Sequence, residues 1–221
     1  PLNGMRTQLR ALVERLATRH GVTVLAPRWP DQSGPGPEGV ELVTIAAPPL
    51  GLAGRVRDRA RSVTRRQPVD VVRLAGPMAV ALRGLLARRR FDVAHVGLGE
   101  LAGLAGGLGG LPAVLAPLDA WTLNAASVAA AATGGRRRWL EWQARLVALH
   151  VAEAYRPFSS VVLVSLEDAA ETSRHDPSLR TAVIPNGVDA DHFSPGPSPD
   201  RERGLILFTG VLGAPANERV A

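Results

Sequence analysis

The chain of 221 residues is 46% apolar and 21% charged, with a formal net charge of +6. That is long and apolar enough to bury one good core, or one core and part of another, and it excludes a disordered chain. No uninterrupted apolar run reaches the ~18 residues of a membrane-spanning helix, the N-terminus lacks the charged, apolar and small-residue regions of a leader, and zero cysteines exclude disulfides and thiolate metal sites.

A cytoplasmic location is therefore the expectation. All 26 basic residues are arginine. Alongside abundant Ala, Gly, Val and Pro, this is first a matter of composition, with an anionic partner as the second reading. Nucleic acid is not expected as that partner: aromatics make up only 4%, no binding signature occurs, and the arginine clusters are scattered.

In chain order, GMRTQLRALVERLATRH sets Leu9, Leu12, Val13 and Leu16 at spacings of three and four, which predicts an amphipathic helix. Val22 to Ala26 predicts a short buried strand, the Pro/Gly-rich stretch WPDQSGPGPEG a loop, and VELVTIAA a second strand. Arg-rich helices are predicted at 52–66 and 77–90. The strand DVAHV, a Gly-rich helix, the strand PAVLAPLD, a long helix over about 136–157 and the strand SSVVLVS complete the run. Such alternation predicts an α/β fold: a Rossmann-like, mostly parallel sheet with helices on both faces. PLNGM already reads as a loop entering a helix, implying a missing first strand, and GLILFTG followed by APANERVA reads as a strand and a helix that stop at once. Both ends are expected to be cut.

The stretch RTAVIPNGVDADHFSPGPSPDRERGLILFTG places a strand, a turn, a spacer and a new strand in succession. Pro185 restricts the preceding residue to extended backbone, and Asn186-Gly187 is a dipeptide that supplies positive dihedrals to a tight turn. Phe193 is expected to anchor the departing chain by burying its ring, and SPGPSP gives a semi-rigid spacer. The segments VVLVSLEDA, AVIPNGVDADHFSP and LILFTG with Pro215 and Asn217, together with PLNGMRTQLRALVERLATRHGVTVLAP, resemble the mid-protein and N-terminal signatures of family-4 retaining glycosyltransferases of the GT-B fold. The resemblance implies an N-terminal acceptor-side domain over 1–188, an interdomain hinge over 189–203 and the start of a nucleotide-sugar-binding domain over 204–221.

The same resemblance implies transfer of a sugar from a nucleotide-sugar donor to an acceptor hydroxyl with retention. The acceptor is a glycan, a lipid-linked molecule or a small molecule, and a chain ending here is expected to lack turnover alone. No cofactor is implied, and basic side chains, backbone amides and helix N-termini stabilise the departing diphosphate in place of a metal. Asp189-Ala190-Asp191 has the Asp-x-Asp form, yet it lies within the hinge signature and reads as turn chemistry. Gly4 matches the glycine of the family's first loop. Arg6 opposes the macrodipole in the first turn of the following helix unless an anion compensates. Asp119 ends a strand at the edge where such sheets bind ligands; many relatives carry a histidine near it, where this chain has Leu118. Gly210 matches the glycine beside the donor diphosphate, with Arg219 as the basic residue that stands in for a lysine. His20, His150, His175 and His192 show no metal-ligand spacing and are expected in core or surface roles.

Two readings compete. DVAHVGLGELA presents Gly97-x-Gly99-x-x-Ala102 after a strand, with Asp119 twenty residues beyond Gly99, as in an NAD- or FAD-binding fingerprint. Against it, the glycine-riddled helix is short and the motif comes late. RRRWLEWQARLVALHVAEAYRPF combines Arg136 to Arg138 with Trp139 and Trp142, a mixture suited to anionic lipid head groups and hence to a non-catalytic membrane-surface module or a peripheral membrane contact of an enzyme.

Overall fold

The computed structural model describes residues 4–29, 36–48 and 51–194. Among these, six helices, six strands and one 3₁₀ segment alternate. α1 (Gly4–Ala17) leads into β1 (Val22–Arg28), which pairs in parallel with β2 (Val40–Ala46) from Val22 opposite Val40 to Arg28 opposite Ala46. α2 (Leu52–Arg65) and α3 (Val69–Leu86) follow, then β3 (Ala94–Val96), the 3₁₀ segment Gly99–Gly107, β4 (Ala113–Leu118), α4 (Trp121–Ala130), α5 (Gly134–Ala154), β5 (Ser160–Leu163), α6 (Leu166–His175) and β6 (Thr181–Val183). β3 to β6 form a second parallel sheet in sequential order. The expected α/β class with parallel strands flanked by helices is therefore met, with the strands divided between two sheets.

The core explains the arrangement. β4 and β5 are the inner strands of the larger sheet, and Ala113, Leu115, Val161 and Leu163 are buried together with Val147 and Val151 of α5, Tyr155, Phe158 and Ala169 of α6. A smaller cluster of Met78, Leu101 and Leu104 gathers Leu25 of β1, Ile45 of β2 and Val96 of β3, so both sheets contribute to it. Pro117 lies inside β4, where it has no N–H for the ladder, and the β4–β5 register shifts between Leu115 and Leu118.

Three elements depart from the sequence expectation. α3 begins at Val69 rather than 77: Pro77 reads as a helix start but lies inside the helix, while Val71 and Val72 in the earlier turns are buried. The Val69 N–H is met by Gln143 Oε1 at 2.8 Å, which secures that early start. α4 has no counterpart in the prediction, because its Ala-rich sequence carries no apolar period. The Gly-rich helix is a 3₁₀ segment, consistent with the low helical propensity of its glycines.

The chain divides into two compact units, Pro1–Asn186 and Gly187–Ala221. Within the described part of the second unit, the Asp189 side chain accepts from the N–H groups of Asp191 at 3.1 Å and His192 at 3.0 Å, and its carbonyl accepts from the Phe193 N–H at 2.8 Å.

Candidate functional site

In an open parallel sheet, ligands bind outside the carboxyl ends of the strands. The ends of β4, β5 and β6 stand side by side: the Val164 N–H donates to Leu118 O at 3.1 Å, and the Ile184 N–H donates to Leu163 O at 2.9 Å. Asp119, Ser165 and Pro185-Asn186 follow immediately after these contacts.

Asp119 is presented by a strained corner. Leu118 has φ of 72°, one of only two positive values at non-glycine residues among the described residues. The Asp119 N–H donates to Pro117 O at 3.1 Å, closing a three-residue turn around Leu118. This is the rare form of γ-turn, and strain of this kind costs about 1–3 kcal/mol and clusters at functional sites.

The corner is clamped from α6. Asp168 Oδ1 accepts from the Ala120 N–H at 2.9 Å, fixing the residue just after Asp119. Asp168 Oδ2 accepts from the Ser165 hydroxyl at 2.5 Å, and Ser165 Oγ accepts from the Asp168 N–H at 3.0 Å, capping α6. Partial burial, and then the Asp168 carboxylate, raise the Asp119 pKa above the ordinary carboxylate value. Asp119 itself is exposed, so water screens much of that interaction. A further tie joins α4 to α6: the Thr122 hydroxyl donates to Glu171 Oε1 at 3.3 Å, and Glu171 also meets Arg174 at 2.9 Å and His175 at 3.1 Å.

The start of α1 reaches the same edge. Gln8 Nε2 donates to Asn186 Oδ1, linking the second turn of α1 to the segment after β6. Gly4 opens α1, and the Arg6 side chain lies outside the described residues, as do Gly210 and Arg219. The structure thus brings Asp119 together with Ser165 and Asp168, and α1 together with Asn186. Ser165 and Asp168 are absent from the sequence-based candidates, although Ser-x-x-Asp ahead of a helix is a legible capping pattern.

The hinge expectation needs two corrections. Neither Asn186 nor Gly187 has a positive φ, so no tight Asn-Gly turn forms; the Asn186 side chain is instead engaged by Gln8. The turn lies a little later, organised by Asp189. Phe193 is 70% exposed rather than buried, its ring meeting His192 edge-on at 4.7 Å.

The glycines of the dinucleotide-like motif have packing duties. A Cβ on Gly97 would lie 3.1 Å from Leu9 Cδ2, and one on Gly99 would overlap Tyr155 Oη. Their close approaches are to protein side chains. The Gly99 carbonyl accepts from His150 Nε2 at 3.1 Å; burial lowers the pKa of this histidine, favouring the neutral ring, which packs edge-on to Trp121 and Tyr155. His95, in the middle of β3, is exposed.

Two hollows among the described residues lie away from this edge. One of about 350 Å³ is lined by Arg156, Ser178 and Arg180 at the amino ends of β5 and β6, and one of about 630 Å³ by Arg83, Arg90 and Phe91 beyond α3. The candidate site is an open shelf, where backbone ends, carboxylates and amide side chains offer hydrogen bonds to a polyhydroxylated molecule.

Comparison with protein families returns a match to the Glycosyltransferase Family 4 model over residues 2–192. The chain belongs to glycosyltransferase family 4. The match takes in every described helix and strand, so the Rossmann-like architecture is the N-terminal domain of a GT-B glycosyltransferase, and the Asp119 shelf lies within the family domain. Glycosyl transfer in general, with donor and acceptor substrates, follows from membership. No curated protein matches the chain. Among the described residues, no helix is long and apolar enough to cross a membrane.

Proposed function

We propose that this family-4 domain forms the acceptor-binding part of a retaining glycosyltransferase that moves a hexose from a nucleotide-sugar donor to an acceptor hydroxyl in glycan biosynthesis. The observation that carries the reading is family membership across residues 2–192. The strained Leu118 corner supports assigning the acceptor hydroxyl to Asp119, whose carboxylate accepts its hydrogen bond while Ser165 and Asp168 hold the loop in place. Gly4 and Arg6 at the start of α1, and Gly210 and Arg219 of the donor-side segment, are assigned to anionic groups of the donor. A positively polarised helix start suits that task, and preorganised donors meet the negative charge that develops as the diphosphate leaves. In this reading no metal is needed for departure of the nucleotide.

Residues 189–203 act as the linker, and among the described residues β1 and β3 each pair with a single strand, which leaves an edge open to a further parallel strand. The test is a screen of the protein purified from its native source against uridine, guanosine and adenosine diphosphate sugars, with acceptor mixtures and product detection by mass. Sugar transfer that persists in EDTA is expected. Absence of transfer or donor hydrolysis with every donor, from a protein of verified fold, would overturn the reading, and transfer abolished by EDTA would overturn its metal-free part.

A further inference from the structure

The hollow beyond α3 holds more hydrogen-bond donors than the fold uses. Four of the eight residues 83–90 are arginine. Arg83, Arg89 and Arg90 line a space of about 630 Å³, a size typical of small-molecule sites. Arg89 pairs with Glu41 of β2. Arg83 and Arg90 are exposed and meet no carboxylate among the described residues. The end of α3 does not need them as caps, because its own chain closes it: Arg83 O accepts from the Ala87 N–H at 3.0 Å, and Leu85 O accepts from the N–H groups of Arg88 and Arg89 at 3.1 Å.

The same hollow is lined by the turn that follows the 3₁₀ segment. Leu108 is right-handed, with φ of −80° and ψ of −7°, and Gly109 and Gly110 have φ of 63° and 88°. A right-handed residue followed by a left-handed one turns successive N–H groups toward one side, the concavity that holds anions in phosphate-binding loops. The Leu108 N–H donates to Ala105 O and the Leu111 N–H to Leu108 O, both at 3.1 Å, while the N–H groups of Gly109 and Gly110 have no acceptor among the described residues. A Cβ on either glycine would meet nothing within 4 Å, so packing does not account for them as it does for Gly97 and Gly99. Leu86, Phe91 and Leu111 add apolar surface. These residues stand at the amino ends of β3 and β4, away from Asp119.

We propose that this hollow is a binding site for a soluble nucleoside phosphate, separate from the Asp119 shelf, with the phosphates on Arg83, Arg90 and the Gly109 and Gly110 amides and the nucleoside rings over Phe91. Guanidinium forks and convergent backbone amides are the donors that hold phosphate. Charge complementarity selects an anion: a second copy would bring the same arginines against themselves. An inorganic anion alone would leave the apolar surface of Leu86, Phe91 and Leu111 without a use.

The inference does not rest on the transfer reaction, because binding is measured with no sugar donor or acceptor present. The whole chain, labelled with nitrogen-15, is titrated with adenosine diphosphate and, as a probe of the phosphate contacts alone, with inorganic pyrophosphate. Both should shift the amide resonances of Gly109 and Gly110, and the nucleotide should bind several-fold more tightly. Arg83→Glu with Arg90→Glu should weaken both about tenfold or more with an unchanged circular dichroism spectrum, both sites being exposed. Arg136→Glu with Arg138→Glu, which reverses as much charge at the start of α5, should have a much smaller effect. Failure of both probes to bind would overturn the proposal, as would binding that leaves the two glycine amides unmoved. Equal losses from the two arginine pairs would reduce the effect to net charge, and equal affinity for pyrophosphate and nucleotide would remove the nucleoside; either overturns the assignment. So would sedimentation with phosphatidylglycerol vesicles that depends on Arg83 and Arg90 while adenosine diphosphate shifts nothing, which would make the phosphate a lipid headgroup.

Discussion

Gly99 and Tyr155 offer a pair of substitutions whose effects are fixed by their contact. The Tyr155 ring is 1% exposed, and its hydroxyl has no hydrogen-bond partner. Burial, and then Glu100, raise its pKa, so it stays protonated. Tyr155→Phe removes a buried unsatisfied group and should stabilise the fold by about 1–3 kcal/mol, or raise Tm by roughly 2–10 °C in a domain of this size. Gly99→Ala gains about 0.4–1 kcal/mol by restricting the unfolded chain. It also drives a methyl into Tyr155 Oη, against a ring that the core does not allow to swing aside. Overpacking of that kind costs about 1–3 kcal/mol, so a net loss of about 1–2 kcal/mol is expected. With phenylalanine at 155 the overlapping oxygen is gone, leaving Cζ at 3.4 Å and Pro117 Cβ at 3.5 Å. Gly99→Ala should then be neutral or mildly stabilising. A double-mutant cycle by urea unfolding should give a coupling of about 2 kcal/mol. Additive effects, or a destabilising Tyr155→Phe, would refute the packing role assigned to Gly99 and restore weight to a ligand role for that glycine.

Asp168→Ala should destabilise the domain by about 1–3 kcal/mol, because the buried Ala120 N–H loses its acceptor; thermal melting measures it. Asp168→Asn should lower the Asp119 pKa by removing the neighbouring negative charge, read by carboxyl carbon NMR titration; an unmoved titration would break the link between the two groups. Asp176 accepts from Arg156 Nε at 2.5 Å and from the N–H and hydroxyl of Ser178, and these bonds lower its pKa to about 2. A depressed folded-state pKa contributes stability that is present above the ordinary carboxylate range and lost as pH falls toward 2. Asp176→Asn should therefore lower Tm near neutral pH and flatten the acid side of the Tm profile, whereas a parallel profile would exclude Asp176 from the acid transition.

Periodicity and punctuation made most elements legible. The spacing of Leu9, Val13 and Leu16 marks α1, and short apolar runs mark β1, β2, β4 and β5. α4 escaped because an alanine run has no apolar face to count, and the early start of α3 was hidden by Pro77. At the site, Asp119 was found from its place after a strand. The strained corner before it was not legible, since the positive φ of Leu118 lies in a loop held by Asp168, 48 residues along the chain from the Ala120 N–H that it accepts from. The same limit explains Asn186: the dipeptide favours a tight turn locally, but its side chain is engaged by Gln8, 178 residues away. α2 was recognisable as an Arg-rich helix, while the burial of its Asp58 and Ser62 depends on the polar partners offered by α3 and α5.

The most direct test of the shelf around Asp119 as the acceptor site is the acceptor kcat/KM of Asp119→Ala beside the unaltered enzyme, with the donor saturating. Loss of one hydrogen bond between a hydroxyl and a carboxylate is worth about 1.5–3 kcal/mol, which predicts a fall of roughly 10- to 150-fold with unchanged Tm. An unchanged kcat/KM would contradict the account and move the acceptor away from this edge of the sheet.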